Sequence, residues 1–99
     1  MRCDRFELPA DFVAYRQTPV FTEQSIPAAF TKDHTTKAGV WAKIVVIEGT
    51  LRYHAEVLDA EVELSTARPG IVLPEVRHCV EPVGTVRFFV EFYRSPIEE

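Results

Sequence analysis

Most of the chemistry this sequence can offer rests on three histidines, His34, His54 and His78, and the carboxylates near them. His78 lies in the run Val76-Arg77-His78-Cys79-Val80, just after a bend at Pro74. Side chains alternate along a strand, so His78 turns to the apolar side with Val76 and Val80, and Arg77, Cys79 and Glu81 turn away. An imidazole on such a face is either hydrogen-bonded in the core or bound to a ligand. His34 and His78 are the candidate metal ligands, because imidazole suits zinc, nickel, copper and iron. Glu75, three residues before His78 at the bend, is the candidate carboxylate, and Glu81 is the second choice. The expected ion is divalent: zinc, iron, nickel or manganese. The competing reading is a hydrogen-bonded core histidine.

Trp41 and Lys43 share one face of the next candidate strand. If that face lines the interior, Lys43 would hold an anionic ligand such as an oxyanion or a carboxylate, with Trp41 beside it. The plainer reading is a lysine whose stem packs and whose amine reaches water. His54 falls on a polar face with Arg52 and Glu56 and reads as a surface residue. Cys79 adjoins His78 in sequence but points the opposite way, which disfavours a Cys–His catalytic pair. There is no glycine-rich phosphate loop, nucleophile elbow or paired-cysteine zinc motif.

The elements that must position these residues read as strands. Over 40–47 two mostly apolar faces alternate, which predicts a strand buried on both sides. Glu48-Gly49-Thr50 reads as a turn, after which Leu51, Tyr53, Ala55 and Val57 face in and Arg52, His54 and Glu56 face out. Val62-Glu63-Leu64 is a short strand, and Ala67-Arg68-Pro69-Gly70 a turn. In the last strand Val86, Phe88, Val90 and Phe92 share one face, and Arg87, Phe89, Glu91 and Tyr93 the other. Pro9, Pro19 and Pro27 prevent a long helix in the first thirty residues. Phe12, Tyr15, Val20, Phe21, Ile26 and Phe30 read as anchors of an arm, with an edge strand over 14–18 and a helical turn or strand start over 27–31. The expected organisation is one domain, with an arm over 1–30 and a β-barrel over 31–94.

With 99 residues and 46% hydrophobic content, the chain is long enough for one core. A net charge of −4 argues against binding a nucleic-acid backbone. No stretch approaches the ~20 apolar residues of a membrane span, and the N-terminus has no signal-peptide pattern. The expectation is therefore a cytoplasmic protein in which Cys3 and Cys79 are both thiols. A strand apolar on both faces needs cover from the arm or from a second chain, which predicts a homodimer.

Two blocks, residues 33–53 and residues 74–82 with 88–93, together with Tyr15-Arg16-Gln17-Thr18-Pro19-Val20-Phe21, resemble the small cupin-like domain of the tellurite-resistance TehB/YeaR-like family. The resemblance covers about 8–94. It implies an all-β fold, the cupin double-stranded β-helix or jelly-roll barrel, in which His34 approaches the barrel mouth and meets His78. Metal-binding cupins offer a His-x-His pair and a glutamate before the first hairpin glycine. Here His34 stands alone, and Thr36 takes the place of the second histidine. In some tellurite-resistance proteins a similar domain precedes a methyltransferase. This chain stops at Glu99 without a nucleotide-binding glycine motif, so it is not expected to methylate unaided. The function expected is that of a small-molecule- or anion-binding, metal-dependent cupin. The alternatives are a metal-dependent dioxygenase or isomerase in the same pocket, and a non-catalytic interaction module.

Overall fold

A computed structural model describes residues 11–32, 35–56 and 61–95. Its elements are the strands β1 (Val13–Gln17), β2 (Phe21–Thr22), β3 (Trp41–Ala55), β4 (Val62–Leu64), β5 (Gly70–Val72) and β6 (His78–Arg94), with one 3-10 turn, Ala28–Thr31, between β2 and β3. All six strands belong to one sheet. Its main order is β1-β6-β3-β4, with β2 alongside β6 and β5 alongside β3. The protein is thus a single small β domain, as period-2 patterning implies. The described pairings leave the sheet open, so the closed jelly-roll barrel expected from the resemblance is not what they form.

The scaffold is a long antiparallel ribbon of β3 and β6, paired from Trp41↔Tyr93 at one end to Ala55↔His78 at the other. Glu48-Gly49-Thr50 does not end a strand, contrary to the turn read from sequence. The pairing passes over Ile47 of β3 between Val46 and Glu48, and over Gly84 and Thr85 of β6 between Gly49 and Thr50. Gly49 has φ 85°, and a Cβ there would run into the Thr85 carbonyl oxygen. Bulges of this kind bend a strand and change which side its residues face. Ala42, Ile44 and Val46 are buried before the bulges, and Leu51, Tyr53 and Ala55 after them. The odd spacing from Val46 to Leu51 is absorbed there.

The inner face of the ribbon carries the core, in which Leu51, Val86 and Phe88 are fully buried. Phe21, Ile26 and Phe30 of the arm pack on it. The rings of Phe21 and Phe30 meet edge to face at 5.6 Å, and Phe21 lies 5.7 Å from Phe88. Polar clasps hold the arm. The Thr18 N–H donates to Val90 O (2.9 Å), and the Val90 N–H donates to the Thr18 hydroxyl oxygen (3.0 Å). The Val86 N–H donates to Glu23 Oε1 at 3.0 Å, which pulls the Glu23 carboxyl below the usual carboxylate range. Two of the expected anchors do not serve as such: Tyr15 and Val20 are exposed. The strand over 40–47 is fully buried on one side only: on the other, Trp41, Lys43 and Val45 are half-buried, the Trp41 ring meeting Phe12 edge to face at 6.3 Å, and Ile47 is exposed.

Candidate functional site

His78 sits where alternation places it, buried at the start of β6 with 7% of its surface exposed. A carbonyl can only accept, so the 2.9 Å contact to Val76 O puts a proton on His78 Nδ1 and fixes the ring. The Tyr53 ring lies 6.3 Å away. Its hydroxyl donates to Ile71 O (3.0 Å), and burial pushes the phenol far above its ordinary pKa.

His78 forms part of the wall of a cavity of about 30 Å³, whose other walls include Phe30, Thr36, Ala42, Ile44, Val80, Phe88 and Phe92. That is room for one or two water molecules or a methyl-sized group. Outside it lies a wider vestibule of about 210 Å³, lined by Tyr15, Arg16, Phe30, Thr35, Thr36, Lys37, Val40 and Phe92. Phe30, Thr36 and Phe92 border both spaces, so the two adjoin, a wide one beside a narrow one, in the outline of a funnel with these three residues at its neck. The neck is tied down on its polar side. The Thr36 hydroxyl donates to Val40 O at 2.9 Å and lies 3.3 Å from Leu73 O, and the Glu75 N–H donates to Thr36 O at 3.2 Å. These bonds hold the loop before β3 against the bend before β6.

The other sequence candidates are dispersed. His34 lies outside the described residues. Glu75 occupies the bend with φ 63° and is exposed. Trp41 and Lys43 stand on the face of β3 opposite Ala42 and Ile44, and it is Ala42 and Ile44 that line the cavity. His54 is cross-strand from Cys79, on the outward side with Arg52. Arg52 is 3.4 Å from Glu81 and 3.6 Å from Glu61. Among the described residues no three His, Cys, Asp or Glu side chains gather to hold a metal ion. Sequence reasoning missed the neck. Phe30 reads as a core anchor, Phe92 as one more strand residue and Thr36 as the absence of a histidine. Their meeting is a product of the fold, and no local signal announces it.

Residues 16–90 match the family model described as the TehB-like domain. The chain belongs to the TehB-like family. It is 29% identical over 79 residues to the probable S-adenosyl-L-methionine-dependent methyltransferase TehB of Haemophilus influenzae, covering 75% of this chain and 28% of that protein. It is 23% identical over 100 residues to the uncharacterized protein YeaR of Escherichia coli K12, covering 91% of this chain and 84% of YeaR. The crystal structure of Haemophilus influenzae TehB superposes with a TM-score of 0.80 at 28% identity, over 87% of this chain and 32% of that one. A crystal structure of an Escherichia coli K12 protein superposes with a TM-score of 0.79 at 23% identity, over 93% of this chain and 99% of that one, which speaks to the fold alone. The chain spans under a third of the length of TehB.

These relatives correct two expectations. The reading as a metal-dependent, anion-binding cupin, and the metal-dependent enzyme held beside it, give way to a family whose TehB members are named for S-adenosylmethionine-dependent methyl transfer. The expected divalent cation falls with it, since the relatives' name points to S-adenosylmethionine and the described residues gather no ligand set for an ion. The funnel of this chain does not fit S-adenosylmethionine either. Its 210 Å³ vestibule is smaller than the roughly 300–1,000 Å³ of sites for drug-sized ligands. Its walls also lack the glycine-rich strand-to-helix turn that lets a backbone approach a nucleotide. Among the described residues no helix is long and apolar enough to cross a membrane.

Proposed function

We propose that this chain serves S-adenosylmethionine-dependent methyl transfer as a TehB-type β domain. In this reading it holds a small molecule on the acceptor side of the reaction, while the methyl donor is bound on other residues. The observation that carries the reading is the funnel. Its neck of Phe30, Thr36 and Phe92 narrows from a polar-rimmed vestibule to a mostly apolar cavity whose polar lining is His78 and Thr36. That shape suits a compact molecule with one polar end and one small apolar end. The methyl-transfer setting is supported by the likeness to TehB, of which a chain of this size accounts for under a third.

The test is a chimera. The matched segment of Haemophilus influenzae TehB is replaced by this chain, and methyl transfer from labelled S-adenosylmethionine is compared with that of TehB lacking the segment. The reading expects the chimera to recover activity. A chimera no more active than the truncated protein overturns it.

A further inference from the structure

The outer face of the β3–β6 ribbon is organised as three cross-strand rows: Trp41↔Tyr93, Lys43↔Glu91 and Val45↔Phe89. All six side chains are half-buried. One lysine and one glutamate therefore sit between two apolar rows, on the face opposite Phe21, Ile26 and Phe30. Phe12 of the arm touches this face at its end row, its ring 6.3 Å from that of Trp41. Glu91 is held in place by the Tyr93 hydroxyl, which donates to Glu91 Oε1 at 2.8 Å. Opposite charges that face one another across an interface fix its register and orientation.

We propose that this face binds a second copy of the chain about a two-fold axis running between β3 and β6, parallel to the strands. The charge pattern selects the axis. Rotation about that line lays β6 of one copy over β3 of the other. Glu91 then meets Lys43 of the second copy, and Lys43 meets its Glu91. Trp41 packs on Tyr93, and Val45 on Phe89, each twice. A two-fold axis perpendicular to the strands, through the charged row, would set Glu91 on Glu91 and Lys43 on Lys43, with like charges in contact. Sheets stacked face to face cross at about −30°, and rows close to the axis stay matched under that twist. The interface is isologous, as a closed dimer requires. This inference concerns the face opposite the funnel and does not depend on the function proposed for it.

Charge reversal tests both the contact and its axis. Masses are measured by light scattering at 50 µM for the wild type, Lys43→Glu, Glu91→Lys, an equimolar mixture of the two variants, and the double variant. The wild type should have twice the 11.3 kDa of the chain. Each single variant should be monomeric, because each makes the face a single sign. The mixture should regain the dimer mass, since an all-acidic face then meets an all-basic one, and the double variant should be dimeric. The regained mass also shows that the single variants are folded. A monomeric wild type, or single variants that stay dimeric, overturns the interface. Single variants that are monomeric alone and remain so when mixed overturn the axis, and a face that captures only a different protein overturns the second copy as its occupant.

Discussion

Successive residues of β3 divide the molecule into two surfaces with different fates. Ala42, Ile44 and Val46 face the arm and are sealed, while Trp41, Lys43, Val45 and Ile47 face away and keep contact with water. Lys43 aside, both sets are apolar. What distinguishes them further is the position of Phe21, Ile26 and Phe30, which the clasps at Thr18 and Glu23 fold over the inner face, while on the outer face Phe12 meets the Trp41 ring. A strand with apolar residues on both sides therefore presents two surfaces needing cover, and the described residues of the arm cover the inner one more fully than the outer. The inner surface keeps a funnel at its margin, and the outer one keeps a charged row between apolar rows.

The sharpest way to break the comparison uses the same residue type on both faces of one strand. Ile44→Ala removes a side chain that is 3% exposed and should cost about 2–5 kcal/mol in urea unfolding. Ile47→Ala, at a position 41% exposed, should cost about 0.5 kcal/mol or less. Similar losses at the two sites would show that the outer face is as well packed as the inner one.

A second pair of substitutions probes the bend that lets one ribbon serve both halves of the core. Both Gly49 and Gly84 have positive φ, where a side chain costs about 1–2 kcal/mol. A Cβ at Gly84 meets nothing within 4 Å, whereas one at Gly49 meets Thr85 and Val86 backbone. Thermal melting should therefore rank Gly49→Ala well below Gly84→Ala, with losses of more than about 2 kcal/mol and about 1–2 kcal/mol respectively. Equal losses would mean that Gly49 supplies only its φ angle.

The two faces also carry one tyrosine each, and absorbance titration of the phenols separates them. Tyr93, raised by partial burial and then by the neighbouring Glu91 carboxylate, should ionise at about 12. Tyr53, raised by burial alone, should resist ionisation longer. Because both folded-state values lie above the unfolded one, their contribution is complete below about pH 10 and declines as pH rises through the folded values. Tyr53→Phe should remove most of the alkaline loss of stability, and a Tyr53 that ionises before Tyr93 would contradict its burial.

The smallest effect lies at the clasp. The Glu23 carboxyl is lowered by the hydrogen bond from the Val86 N–H and then by its own backbone, so its contribution holds above the unfolded pKa and fades as pH falls through the folded one. Glu23→Gln should flatten that acidic limb slightly, read as the difference in melting temperature between pH 7 and pH 3. An unchanged limb would mean that another group fastens the arm.

Period-2 reading placed His78, Val80, Leu51, Tyr53, Val86, Phe88 and Val90 on the inner side, and there they lie. It misread Gly49, because a glycine with positive φ serves a hairpin turn and a bulge equally well, and only the partner strand decides between them. The family was legible in blocks spread across the chain, since such blocks carry core and turn chemistry together. The neck was not, because Phe30, Thr36 and Phe92 are brought together by pairing distant in sequence. The divalent metal gives way to the TehB relatives, named for S-adenosylmethionine, and to the described residues, which gather no three-ligand cluster, while His34 lies outside those residues.

The role proposed for the funnel in methyl transfer is tested by the rate of the TehB chimera with its vestibule filled. Val40→Trp places an indole into the 210 Å³ space that Val40 borders, just before β3, while His54→Ala alters the outward face of β3. The account predicts that Val40→Trp lowers the chimera's rate at least tenfold while its circular dichroism spectrum is unchanged, and that His54→Ala leaves the rate within twofold. Equal rates for the filled and unfilled chimeras would contradict it.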